Sequence, residues 1–208
     1  MNFEPVFLPR LEFLPESEYS GWKVRPESFF WRTIERGMLP TEAAALPGQW
    51  ALFDTTPKPP AGDLVYEEDP LADLITELRA AGAIRRTDGV PDGSRVGISL
   101  LELDDLVFPR LAHGLGIGSS GNVQIWVPRE IEHNFLGNLR YPMLGDGVVR
   151  EWLADPVEEF DRLVAGFRLH TVDLYLASTR HATLGFRPLI LFPAPIPAGP
   201  TRRSNKRE

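Results

Sequence analysis

The sequence predicts an α+β fold made of short elements, and three observations carry that prediction. Helix signals fall in the first two thirds of the chain and strand-like runs in the last third, an order that suits α+β better than a βαβ array. Gly and Pro together make 38 of the 208 residues, roughly 18% against about 12% on average, so the backbone turns often and long helices are excluded. Hydrophobic residues at 43% and charged residues at 25% are ordinary for one globular domain. A single domain is expected over 1–195, with an extended arm over 1–27 and a basic tail over 196–208.

The arm alternates aromatic, acidic and Pro positions without helical period, with one short strand expected at 5–13. Ser28 then signals a helix: its side chain can cap free N–H groups, 29–36 supply the turns, and Gly37 can close in the left-handed region. QWALFD (49–54) reads as a strand, and the Pro-rich TTPKPPAGD after it as a loop. The clearest helix runs over 69–81, with Asp69 as N-cap, Pro70 at the first position, Leu71, Leu74, Ile75 and Leu78 on one face, and Gly82 at its end. A second helix with a Ser99/Glu102 capping box runs to about His113, shortened or kinked by Pro109.

The segment HGLGIGSSGN (113–122) invites a phosphate-loop reading, but its glycines precede a strand (123–127) instead of opening a helix, and no GxxxxGK[ST] occurs. It is read as a flexible turn. Pro128 opens a helical turn over 128–134, and a helix is expected near 148–154. RLVAGF, VDLYLAS and FRPLILF read as strands. The five tryptophans (22, 31, 50, 126 and 152) are expected to anchor the core.

Composition excludes several chemistries. The chain has no cysteine, so disulfide scaffolds, zinc ribbons and thiolate nucleophiles are ruled out. No apolar run reaches the roughly 20 residues of a membrane span, so no membrane insertion is expected. Acids and prolines stand where a signal peptide needs a basic start and an apolar core, which points to the cytoplasm. The net charge of −7 argues against broad phosphate-backbone binding. It is uneven: TRRSNKRE at 201–208 carries +3, leaving −10 for residues 1–200. That tail is expected to be solvated, and it is the one segment suited to nucleic acid.

Candidate catalytic groups are sparse. Glu130 and His133 form an ExxH pair, half of a carboxylate–imidazole metal site, which would need a C-terminal histidine such as His170 or His181 to complete it. The plainer expectation is surface groups on a short helix. Ser119 and Ser120 lack a local base, and no GxSxG elbow is present. Asp104/Asp105 and Glu158/Glu159 are consecutive, so each pair points apart toward solvent. Neither enzymatic activity nor a cofactor is expected.

The most distinctive text lies at the end. Glu151-Trp152, the 161–164 strand followed by Gly166, Arg180, and Gly185-Phe186-Arg187-Pro188 before the apolar strand 189–192 resemble the C-terminal part of C-type-lectin-like proteins. More narrowly they resemble the variable proteins of diversity-generating retroelements, in the formylglycine-generating-enzyme-like branch of that fold. Gly137-Asn138 and the Trp126/Glu130 region share that character. The chain departs from the pattern in having Ala165-Gly166 for a Gly-Gly and Leu176-Ala177 for a Trp-Ser. It also lacks the EPN, QPD and WND signatures of calcium-dependent sugar binding and the cysteines of formylglycine generation.

The resemblance implies a binding module. Arg187 would pair with a buried acid, Glu151 or Asp161, to pin the last strand, and Phe186 would plug the core. The ligand-binding face would comprise Phe167, Arg168, His170, Thr171, Asp173, Tyr175, Thr179, His181 and Thr183, a mixture of aromatic, charged and small residues suited to display. Its partner would be a protein or cell-surface ligand.

Overall fold

A computed structural model describes residues 2–18, 20–117, 123–166 and 168–192. The fold is α+β, with two four-stranded sheets. The first contains β1 (Phe3–Glu12), β2 (Ala45–Asp54), β3 (Gln124–Trp126) and β8 (Leu189–Leu191) in the order β1-β2-β8-β3. The second contains β4 (Arg150–Val157), β5 (Asp161–Ala165), β6 (Val172–Leu176) and β7 (Leu184–Gly185) in the order β6-β5-β4-β7. All pairings are antiparallel except that of β4 with β7. Phe186, Arg187 and Pro188 carry the chain from the second sheet to the first.

The start of the chain is extended, as expected, but it is not a free arm. Phe3 faces Asp54 and Glu12 faces Ala45, so β1 lies along the whole of β2. Val6 and Leu8 are buried against the sheet while Phe7 lies exposed beside Trp50, the alternation of a half-buried strand. Trp50 itself is 57% exposed, so the expectation of a core anchor fails at that position: it lies on the solvent face of β2.

Helix α1 (Ser28–Glu35) begins at Ser28, with Glu27 in the capping position and making no side-chain cap. Gly37 follows at φ +71°, closing the helix as expected. Helix α2 (Ala72–Ala80) starts later than Asp69, whose carboxylate instead accepts from the Leu71 N–H at 2.8 Å. The Ser99/Glu102 capping box forms at the head of α3 (Leu100–Glu102). The chain then widens into a π-helical turn over Leu103–Val107 before α4 (Phe108–Gly114). Pro109 has no N–H to offer the carbonyl four residues back, and the widened turn accommodates that gap without ending the helix.

Helix α5 (Glu130–Leu139) is longer than the expected turn and is buried over most of its length. The helix expected near 148–154 is strand β4 instead. Trp152 packs on one side of it with α2–α4, and Leu153 on the other with α1. A strand buried on both faces lacks the alternation that identifies strands in a sequence, so its apolar run imitates a helix. A third cluster joins the first sheet to α5 through Phe53, Ile131, Phe135 and Leu189. Among the described residues no helix is long and apolar enough to cross a membrane.

Candidate functional site

The densest chemistry lies where the two sheets meet. Arg187, in the link from β7 to β8, spans them: Nη2 and Nε donate to the two carboxylate oxygens of Glu151 at 2.9 and 3.3 Å. Its Nη1 donates to the backbone oxygens of Asp54 and Thr56 at 2.7 and 2.8 Å. Of the two acids offered by the sequence, Glu151 is therefore the partner. Gly185, just upstream, packs so closely that an added Cβ would lie 3.1 Å from both Tyr66 and Val149, and Phe186 is buried.

A second arginine repeats the pattern. Arg95 binds Asp69 in bidentate fashion at 2.7 and 2.6 Å, donates to Asp54 through Nη1 and to Thr56 Oγ1 at 3.2 Å, and stacks over the Tyr66 ring. Lys58 donates to the Leu144 carbonyl at 2.7 Å and stands 3.8 Å from Glu151. Three basic side chains thus face three carboxyls, the balance that makes buried charge tolerable. The sequence does not single out Asp54, Lys58, Tyr66, Asp69 or Arg95 as site residues: Asp54 ends strand β2, and the others come from Pro- and Gly-rich segments without period. Asp69 was legible only as a helix cap.

His133, on α5, is buried in the same cluster. Its Nε2 is 3.9 Å from Glu151, and neither ring nitrogen has a hydrogen-bond partner. Burial, with Lys58 and Arg187 adding to it, holds its pKa down at about 3, so the imidazole is neutral. Burial pushes Glu151 up, but Arg187 and Lys58 outweigh it and hold the carboxyl at about 2.

Glu130 faces different company. It and Asp155, on β4, are both buried, and the Glu130 N–H donates to Asp155 at 2.5 Å. Burial raises both carboxyls, Asp155 to about 7, and proximity to Asp155 raises Glu130 further. The expectation that Glu130 and His133 are surface groups is therefore wrong. The apolar face of α5 (Ile131, Phe135, Leu136) is flanked by buried polar residues, of which Glu132 accepts from Arg129 and Asn134 accepts from Trp22, while Glu130 Oε1 and both His133 nitrogens have no hydrogen-bond partner. Among the described residues no group of three or more His, Asp or Glu side chains could hold a metal ion.

The face expected from the resemblance lies on β6 and its flanking turns, at the edge of the second sheet. Phe167 and the basic tail 201–208 lie outside the described residues. Arg168, Asp173 and His181 are exposed, while His170, Thr171, Tyr175, Thr179 and Thr183 are half-buried. Thr171 Oγ1 donates to the Arg168 carbonyl at 3.1 Å and closes the first turn. The Glu27 N–H donates to the His170 carbonyl at 3.0 Å, docking that turn on the head of α1. Arg150 reaches across to Asp173 at 3.1 Å and donates to the Tyr175 hydroxyl. Beyond the strand, the Thr179 N–H donates to the Leu176 carbonyl, and His181 Nδ1 lies 2.9 Å from the Thr183 hydroxyl. Asp104 and Asp105 are exposed, as expected.

A groove of about 530 Å³ opens between the end of β1 and α1, lined by Phe13, Leu14, Trp31 and Ile34 among others. It shares no residue with the buried polar cluster. Comparison with protein families, with curated proteins and with solved structures finds no match to this chain.

Proposed function

We propose that this chain is a ligand-binding module and not a catalyst. In this reading the α+β fold is a C-type-lectin-like domain of the kind that diversity-generating retroelements diversify. Arg168, His170, Thr171, Asp173, Tyr175, Thr179, His181 and Thr183 form the recognition face, joined by Phe167, toward a protein or cell-surface partner.

The observation that carries this reading is the contrast between the face and its frame. Both glycines bounding the segment are closely packed: a Cβ on Gly166 would lie 2.2 Å from Thr171 Oγ1, and one on Gly185 would lie 3.1 Å from Tyr66 and Val149, which would have to give by a few tenths of an ångström. Between them the polar side chains are open or half-open, so the interior can vary while its ends stay fixed. A rigid frame under adaptable side chains lowers the entropic cost of binding. Against catalysis stands the sealed polar cluster, whose basic and acidic groups are spent on one another.

The test is a purified ectodomain array probed with the wild-type chain and with a variant carrying Ala at Arg168, His170, Asp173 and His181. The wild type should label spots that the variant misses, with melting temperatures within a few degrees of each other. A variant that unfolds, a wild type that labels nothing, or equal labelling by the two would each overturn the reading.

A further inference from the structure

The outward face of the β1–β2 pair departs from the pattern of a half-exposed sheet. On the inner face Val6, Leu8, Ala51 and Phe53 pack in the core. The outward positions of such a pair are ordinarily polar. Here they are apolar: Pro5 faces Leu52, and Phe7 faces Trp50. One end of this face is covered, since Asp54, the next outward position of β2, is buried and held by Arg95. The other end is open. Phe7 is 50% and Trp50 57% exposed, with ring centroids 5.3 Å apart. Adjoining exposed rings with no charge among their neighbours on the face mark a surface that takes an apolar cover.

The chain itself arrives at this spot. The Phe192 N–H donates to the Trp50 carbonyl at 3.1 Å, so Phe192 is the neighbour of Trp50 on the side away from Phe7. Leu191 packs in the inner cluster, and Phe192 therefore alternates to the outward face and extends the aromatic row over three strands. The next eight residues, PAPIPAGP at 193–200, contain four prolines and no charge. They lie outside the described residues. We propose that 193–200 is the cover of this face, crossing Trp50 and Phe7 from the end of β8.

Reach, composition and tethering favour this occupant. Phe7 lies two strand spacings, about 10 Å, from Phe192. A proline-rich segment advances about 3.1 Å per residue, so Pro193 to Pro195 fall over Trp50 and Ile196 over Phe7. Proline-rich segments dock on aromatic surfaces, and the fixed φ of each proline leaves less freedom to lose on docking. Continuing β8 along β2 is a poor alternative: Gly48 turns β2 at φ +76°, and Arg129 already donates to the Ala45 carbonyl beyond it at 2.7 Å. A short tether also gives the segment an effective concentration on the order of millimolar, which a separate partner would have to exceed. This cover is remote in sequence from the recognition face, and the two stand or fall separately.

The absence of cysteine lets paired thiols report where the segment lies in the full chain. Phe7→Cys with Ile196→Cys should close an intramolecular disulfide at micromolar protein. Leu101→Cys with Ile196→Cys should close several-fold less, although Leu101 is half exposed. Equal closure by the two pairs, closure by neither, or disulfides only between copies would each overturn the proposal, the last by assigning the cover to a second chain. A second measurement needs no thiol. Serine at Pro193, Pro195, Ile196 and Pro197 together should raise binding of the apolar dye bis-ANS several-fold, with the far-UV circular dichroism of the wild type. Adding Phe7→Ser and Trp50→Ser should remove that rise. Dye binding equal to that of the wild type, or a rise that survives the second pair of changes, would overturn the proposal.

Discussion

Glu151 and Asp155 lie four residues apart on one strand and are equally buried, each 1% exposed. Yet Glu151 is held at about 2 and Asp155 is pushed up to about 7. Burial disfavours the ionised form of both. Around Glu151 it is outweighed by Arg187 and Lys58. Around Asp155 the Glu130 N–H and Arg129 are too little against it, and Glu132 adds repulsion. Burial makes a carboxyl's charge costly, and the sign of its neighbours decides whether it keeps that charge.

Removing the positive partner breaks the comparison most severely. Arg187→Met leaves the buried Glu151 carboxylate with only Lys58 at 3.8 Å and the Tyr66 hydroxyl at 3.3 Å and deprives two backbone oxygens of their donor, an expected loss of about 3–5 kcal/mol. Urea unfolding measures it. Glu151 is depressed, so its contribution is present above its unfolded pKa of 4.5 and lost as pH falls toward 2. The variant should lack that acid limb. A midpoint and acid profile unchanged from wild type would show that the pair does not hold the sheets together.

Next in size is the titration of Asp155. Its folded pKa lies above the unfolded 3.8, so the folded protein keeps a proton that the unfolded chain has released. Stability falls as pH rises from about 4 to about 7, by ~4 kcal/mol at the full shift. His133 runs the other way. Depressed from 6.5 to about 3, it contributes stability above pH 6.5 that is lost as pH falls toward 3. The two slopes oppose one another across the middle of the range. Asp155→Asn removes the falling one, so its urea midpoint should climb relative to wild type between pH 4 and 7. Parallel profiles would mean that Asp155 ionises normally.

The smallest effect sharpens the comparison from outside the core. Arg150–Asp173 has the same chemistry as Arg187–Glu151, but half of the Asp173 side chain is open to solvent. Asp173→Asn should cost at most about 1 kcal/mol, and thermal melts should place it far closer to wild type than Arg187→Met.

Much of the local structure was readable before any coordinates. The Ser99/Glu102 box, Gly37 and Gly82 in the left-handed region, and the strands at β5, β6 and β8 all follow from short-range rules. β4 was not readable, because Trp152 and Leu153 are buried on opposite faces. α5 was read short and as surface, because Glu130, Glu132, His133 and Asn134 look solvated in a sequence. In the fold all four are buried: Glu132 binds Arg129 and Asn134 accepts from Trp22, while the Glu130 carboxyl lies near Asp155 and His133 near Glu151. Of the site, the resemblance marks the Arg187–Glu151 tie and the 167–183 segment. Arg95, Asp69, Asp54 and Lys58 carry no such mark, and their partners are 26 to 86 residues distant.

By itself the sequence determined the α+β class, the Ser99/Glu102 cap and the glycine stops at 37 and 82, and a chain without thiol chemistry, while the caps expected at Ser28 and Asp69 fall to Glu27 and Leu71. Only the tertiary structure decided that β4 is a two-sided strand, that six charged groups neutralise one another between the sheets, and that Glu130 and His133 are buried. Those depend on which distant side chains meet, and local propensity carries no record of that.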